Sequence, residues 1–227
     1  METSQRQRIE QFCNKQFYEA NKSKARLKIF QGGSRSGKTY SLMQYCLYLL
    51  TITEEPLTIS VIRKTLPALK RSVLRDFLKI SKDIGMYWDG IFNKAENTFT
   101  YNGHTLEFFS ADDSQKIRGS ARDIAWLNEG NELLLEEYRQ IAMRTRSNIM
   151  IDLNPSDPIH WIYDLCERDD AELFTSTYKD NKFLNQDIIS EIERMKDRDK
   201  DLWNVFGLGQ KAVFIKRHIF NNCHFIY

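Results

Sequence analysis

Apolar residues fall along this chain in two rhythms. Short β-branched or aromatic runs recur at Leu27–Phe30, Leu57–Arg63, Ile124–Leu127, Asn148–Leu153 and Leu173–Thr177, several of them ended by glycine, proline or asparagine. Such runs read as strands. Between them lie longer stretches with helical spacing. Ser4 to Tyr18 places Ile9, Phe12, Cys13 and Phe17 on one face, and Asn21–Arg26 reads as a basic loop. Tyr40–Leu50 is a mostly apolar helix, and Leu66–Asp83 a basic amphipathic one that begins around Pro67. Thr98–Tyr101 and Thr105–Phe109, joined by Asn102-Gly103, predict a hairpin. A loop is expected over Ala111–Arg122, and helices over Glu132–Arg144 and Asn185–Arg198. The tail from Phe206 to Tyr227 is aromatic without a period.

Strands alternating with helices predict an α/β fold with a mostly parallel central sheet covered on both faces, its ligand at the strand C-termini. The chain of 227 residues suits one such domain with at most a small appendage. Hydrophobic content of 41% and charged content of 28% are ordinary for a globular protein. A net charge of +2 gives no global attraction to nucleic acid, so any basic surface is local. Cys13, Cys46, Cys166 and Cys223 are widely spaced, without a C-x-x-C pair, and read as reduced thiols in a cytoplasmic protein. They do not cluster with the histidines at zinc-ligand spacing, Cys223-His224 being the nearest approach. The polar first residues do not form a signal peptide, and no apolar run reaches the length of a membrane span.

Gly32-Gly33-Ser34-Arg35-Ser36-Gly37-Lys38-Thr39 fills the pattern G-x-x-x-x-G-K-[ST] between a predicted strand and a predicted helix. That context makes the motif a phosphate cradle. Glycines let the backbone wrap the anion, and N–H groups at the helix start point at it. Lys38 is expected on the β/γ-phosphates, and the Thr39 hydroxyl on Mg²⁺. Binding of a nucleoside triphosphate with Mg²⁺ follows.

Turnover needs a group that activates water. Ile124–Leu127 ends in Asn128-Glu129, where Glu129 is the candidate base and Asn128 a neutral acceptor toward Mg²⁺ and its waters. Glu129 reads otherwise as an acid at a helix N-terminus. Asn154-Pro155, after the next strand, is either a group that senses the γ-phosphate or an ordinary strand-ending turn. Arg118, in the loop before the Glu129 strand, and Arg35, within the glycine-rich loop, are candidate cations for a transferring phosphoryl group. Two basic clusters are candidate phosphate-backbone contacts: Arg63, Lys64, Lys70, Arg71 and Arg75; and Arg139, Arg144 and Arg146.

Together these segments resemble the large terminase subunit of tailed bacteriophages. The resemblance is carried by the phosphate loop, Val61–Thr65 with Ser72-Val73, Ile117-Arg118-Gly119, Leu127-Asn128-Glu129, Asn154-Pro155 with His160-Trp161, Tyr178–Asn181, Gly207 and Ile219-Phe220. It implies a P-loop NTPase fold of the ASCE type. Residues 1–175 would form the ATPase core with an N-terminal helix. Residues 176–227 would form a small C-terminal lid and linker subdomain leading to the family's nuclease domain, which is not expected in this chain. It further implies Lys38 and Thr39 on phosphate and Mg²⁺, Glu129 as catalytic, and Asn154 as the coupling residue. Arg118 would reach a neighbouring subunit's ATP, and aromatic or polar residues near Phe17 and Tyr18 would lie by the adenine.

The implied activity is ATP hydrolysis that drives double-stranded DNA into a procapsid, without nuclease activity. The implied partners are DNA, the portal protein, the small terminase subunit and further copies in a pentameric ring, with a monomer possible in isolation. The implied place is the cytoplasm of the bacterial host, away from any membrane. Two other classes stay open: a P-loop small-molecule kinase, and a non-hydrolysing nucleotide-gated adaptor in which Asn128 marks lost catalysis.

Overall fold

The computed structural model describes residues 13–213 except Ser120, together with Gln7 and Ile9. Most of the Ser4–Phe12 stretch, Ile219-Phe220 and Cys223-His224 therefore lie outside the described residues. Eight strands form one sheet: β1 (Leu27–Gly32), β2 (Thr58–Arg63), β3 (Phe92–Asn93), β4 (Thr98–Tyr101), β5 (His104–Ser110), β6 (Arg122–Leu127), β7 (Thr145–Leu153) and β8 (Ala171–Ser176). Their order is β3-β4-β5-β2-β6-β7-β1-β8. The pairs from β5 through β8 are parallel, while β3, β4 and β5 pair antiparallel at one edge. Strand β7 thus lies between the glycine-rich-loop strand β1 and the Glu129 strand β6.

Both faces of the central strands are apolar, as a parallel sheet flanked by helices requires. Phe30, Ile59, Val61, Trp126 and Met150 enter one core with Phe17, Leu42, Cys46 and Phe77. Ile29, Ile62, Ala125, Leu127 and Ile151 enter the other with Tyr138, Ile141 and Ile162. The alternation of neighbours between the two cores is the period-2 pleat expressed in packing.

The helices follow the expected spacing with adjustments. Helix α1 is Lys15–Lys22, running into the stretch read as a loop, and α2 is Lys38–Ile52. Helix α3 covers Leu66–Leu69 and Arg75–Asp83 with a π-turn over Lys70–Leu74 between them. The loop expected after Ala111 contains α4 (Ser114–Gly119). The helix expected over Glu132–Arg144 is shorter: a 3₁₀ turn at Gly130–Glu132 precedes α5 (Leu135–Ala142). The side chain of Glu137 accepts from the Leu134 amide at 2.8 Å, which starts the helix there. Helix α6 (Trp161–Leu165) is too short for a period to announce it. Helix α7 (Gln186–Arg198) is capped by Asn185, whose side chain accepts from the Asp187 amide. After α8 (Lys200–Leu202), a π-turn at Trp203–Gly207 brings the chain back against β1. The hairpin turn is as read: Asn102 and Gly103 have φ of 48° and 83°, the left-handed pair that a tight two-residue turn needs.

Candidate functional site

The glycine-rich loop leaves β1 at its C-terminal end and enters α2 at Lys38. Gly37, the residue before the helix, has φ of 85°, a conformation that favours glycine. Gly33 has a different reason to be glycine: a Cβ there would overlap the carbonyl of Phe206 in the returning C-terminal segment. Gln31 donates to the Gly209 carbonyl at 2.9 Å, tying the same segment to the loop. Arg35 also sits in the left-handed region, at φ 66°, with an exposed side chain. Its carbonyl accepts from Asn181 at 2.9 Å, and the Ser36 carbonyl accepts from Gln16 at 3.0 Å.

Lys38 is buried. Its ammonium donates to the carbonyls of Gly32 (2.8 Å) and Gly33 (3.1 Å), to Ser36 Oγ (3.4 Å) and to Asn154 Oδ1 (3.1 Å). Asn154, just beyond β7, donates through Nδ2 to Glu129 Oε2 at 3.4 Å. One amide therefore bridges the lysine of the loop and the glutamate that follows β6. Glu129 has φ of 51°, a conformation uncommon for a residue with a side chain. Burial, and then the Asp152 carboxylate, push its carboxyl up to about 7, against the pull of Lys38 and Arg63. Burial lowers Lys38 from its ordinary value, opposed by Asp152 and Glu129.

Gly33, Ser34, Arg35, Ser36, Gly37, Lys38, Thr39, Glu129 and Asn154 line one cleft together with Tyr40, Asp76 and Asn181. A cavity of about 730 Å³ shares Gly37, Tyr40 and Asn181 with that cleft and extends between Asn14, Gln44, Ile80, Ile84 and Phe183. Phe17 and Tyr18 lie outside both linings. Phe17 is buried in the core, edge-on to Tyr45 and Tyr48, and offers no ring face to a ligand. Tyr18 is half exposed and packs edge-on against Phe17. The residues of that stretch that reach the loop are the polar Asn14 and Gln16. They are polar neighbours of Phe17 and Tyr18, within the stretch that the resemblance pointed to.

Asn128 is buried beside the cleft. Its Nδ2 donates to both oxygens of Asp152, at 3.1 and 3.2 Å, and its Oδ1 is buried without a hydrogen-bond partner among the described residues. An orphaned buried acceptor next to the Glu129 position, with the Thr39 hydroxyl at the start of α2, suits a cation held chiefly through waters and phosphate oxygens, which is how Mg²⁺ binds. Asp152 was missed. A single acid inside the apolar run Ile149–Leu153 carries no spacing signal.

Arg118 is not brought to the cleft. It is exposed on α4, with Nε donating to Gln140 at 3.3 Å. Its backbone is held: Arg144 donates to the Arg118 carbonyl at 2.7 Å, and buried Arg122 donates to the carbonyls of Lys116 and Ile117. Most cations of the two basic clusters are paired. Arg63 meets Glu132 at 3.1 Å, Lys64 meets Glu137 at 2.7 Å, Arg75 meets Asp76 at 3.2 Å, Arg139 meets Glu136 at 3.9 Å and Arg146 meets Asp123 at 3.1 Å.

Known proteins resemble this chain in sequence and fold. Residues 24–210 match the family model for the phage terminase large subunit. The PBSX phage terminase large subunit of Bacillus subtilis (strain 168) is 24% identical over 219 residues, covering 80% of this chain and 48% of that relative. The structure of a large terminase from a thermophilic bacteriophage superposes with a TM-score of 0.73 at 19% identity, over 88% of this chain and 54% of the other. The large terminase ATPase domain of Thermus phage P74-26 superposes with a TM-score of 0.63 at 13% identity, over 86% of this chain and 92% of that domain. The chain thus spans about half the length of the relatives that include more than the ATPase domain. The match over most of its residues, in a sheet of the same architecture, settles its kinship: this chain belongs to the phage terminase large subunit family.

Proposed function

We propose that these residues form the ATP-hydrolysing motor of a DNA-packaging terminase, which translocates double-stranded DNA into a procapsid. The observation that carries the reading is the Asn154 amide held between Lys38 and Glu129. Lys38 spends its donors on the loop's own carbonyls and on Asn154. A bound triphosphate competes for that ammonium. Its release from Asn154 Oδ1 frees the amide whose other end holds Glu129. The same exchange that binds the γ-phosphate therefore repositions the base and the segment after β7, which is a physical link between nucleotide state and movement. Glu129, with its carboxyl near neutrality, is suited to take a proton from the attacking water. A crystal structure of a related large terminase is described as a complex with ADP, which supports the nucleotide assignment.

The loop N–H groups from Gly33 to Thr39 would cradle the phosphates. The cavity beyond Gly37 is of a size for a base and ribose, with Tyr40 and Asn14 on its wall. Thr39 and Asn128 would serve Mg²⁺, which when bound neutralises charge on the β- and γ-phosphates. Arg35, which lines the cleft, would act within its own subunit. Arg118, outside the cleft yet fixed at its backbone, is assigned to a neighbour's nucleotide in a ring. Portal protein, small terminase subunit, a pentameric ring and the host cytoplasm complete the reading.

Steady-state hydrolysis of ATP, measured with and without double-stranded DNA, tests it. DNA-stimulated release of phosphate to water is expected, and Glu129→Gln should lower turnover by about 10²- to 10⁴-fold while nucleotide still binds. Transfer of phosphate to a small acceptor would make the chain a kinase, and binding without turnover would make it an adaptor. Arg118→Ala should reduce activity only at protein concentrations where copies associate.

A further inference from the structure

Asp152 enters the reading above only through its charge on Glu129, yet its side chain is fully buried beside the cleft. It lies in β7, where Asp152 stands opposite Phe30 of β1, and β6 ends one position short of it, Leu127 pairing with Ile151. Its Oδ1 accepts from Trp126 Nε1 at 2.6 Å, both oxygens accept from Asn128 Nδ2, and the Glu129 backbone amide donates as well. The indole and the backbone amide are donors only. They hold Asp152 as an acceptor, and an acceptor facing Asn128 dictates which end of the amide turns toward it. The NH₂ end therefore faces Asp152, and Oδ1 is left buried and without a partner among the described residues. A buried acceptor left unfilled is costly to keep and is rarely kept without a use.

We infer that Asp152 is a positioning residue: it turns the Asn128 amide so that its oxygen is the free acceptor for the hydration shell of nucleotide-bound Mg²⁺, and it supplies from behind the negative charge that Asn128 lacks. The acidic function at the end of β6 is then split between two residues on adjacent strands, with geometry on Asn128 and charge on Asp152. The inference rests on the nucleotide-binding reading, and its test separates the two.

The test is binding of a fluorescent ADP analogue, read with excess EDTA and across a Mg²⁺ titration. In Asp152→Asn the facing carboxamide no longer dictates the Asn128 orientation, and the charge is gone. The Mg²⁺ concentration at half-effect should rise about 10- to 100-fold, with EDTA-state affinity little changed. Asn128→Ala, which leaves the other donors to Asp152 in place, should shift the titration in the same direction. The reciprocal exchange, Asn128→Asp with Asp152→Asn, should restore most of the Mg²⁺ dependence by moving the charge forward one strand. If Asp152→Asn fails to fold, Asn128→Ala and the exchange decide. An unchanged Mg²⁺ titration in the variants that fold overturns the inference. So does an equal loss of binding with and without Mg²⁺, which would mean that Asp152 serves Lys38 instead. A wild-type protein that binds nucleotide indifferently to Mg²⁺ also overturns it and leaves the nucleotide reading standing. A wild-type protein that binds none in either state removes both.

Discussion

Lys38, Glu129 and Asp152 meet at the ends of β1, β6 and β7, while Lys64, Arg139 and Arg146 lie on the segments around α3, α5 and β7 with Glu137, Glu136 and Asp123 as partners. The residue types are the same and the physics differs. The first group sits out of water, where a charge is tolerated only if hydrogen bonds and opposite charge replace its hydration. With all three ionised, one negative charge is left over. Burial and the Asp152 carboxylate therefore push Glu129 up to about 7. The second group keeps its solvent. The side chains of Arg139 and Glu136 are 62% and 66% exposed, so their 3.9 Å approach adds little. Charge in the first group is held ready for a ligand that rebalances it; charge in the second is already balanced locally. This is why the basic runs that looked like DNA contacts in the sequence present less free positive charge than their composition suggests.

The largest way to break this contrast is Lys38→Ala. It removes the donor to the Gly32 and Gly33 carbonyls and to Asn154, and leaves the cleft's carboxylates without their nearest ammonium. A loss of more than about 10²-fold in ATP turnover is expected, comparable to deleting a preorganised transition-state donor. A stability loss of about 2 kcal/mol should accompany it, from buried acceptors left unfilled. Denaturant unfolding beside the hydrolysis assay checks both. An alanine variant with unaltered stability would show that the lysine's contacts with Gly32, Gly33 and Asn154 are incidental.

A finer test uses pH. Glu129 has a folded-state value raised above the ordinary 4.5 to about 7. Its neutral form is favoured in the fold, so its contribution is fully present below about 4.5 and is lost as pH rises through 7. Glu129→Gln removes that loss. The variant should be more stable than wild type by about 2 kcal/mol at pH 8, with the difference shrinking toward zero near pH 4. A pH-independent difference would place the effect in packing rather than in charge.

The contrast also explains what could be read from the chain beforehand. The apolar runs marked the central strands because β1, β2, β6 and the C-terminal half of β7 are buried on both faces, and the resulting β-branched blocks are bounded by Gly, Asn or Pro. Asn102-Gly103 named its own turn. Lys38 and Glu129 were legible because a local motif or a strand end marks them. Asp152 was not, since its meaning depends on Asn128 and Trp126 across a strand boundary, and no spacing along the chain encodes a neighbour 24 residues away. Phe17 itself turns inward, because an aromatic ring is equally good core and Tyr45 and Tyr48 on α2 pack against it. The start of α5 shifted because Glu137 caps it from inside, overriding the helical period that began earlier. Local signals predicted what local physics decides; contacts between elements decided the rest.

The smallest expected effect lies on the solvent side of the comparison and asks how far it holds. Lys64 donates to Glu137 Oε1 at 2.7 Å, with side-chain exposures of 31% and 17%. The other oxygen of Glu137 accepts from the Leu134 amide at the start of α5. Glu137 therefore does two jobs and Lys64 one. Glu137→Ala should cost about 1 kcal/mol, chiefly through the lost cap, and Lys64→Ala about 0.5 kcal/mol or less. A double-mutant cycle should return a coupling of about 0.5 kcal/mol that fades as salt is raised, because solvent-accessible pairs are screened. A coupling well above 1 kcal/mol that persists in high salt would move this pair into the buried class. The division between charges held ready and charges already balanced would then run through α5, rather than between the cleft and the helices around it.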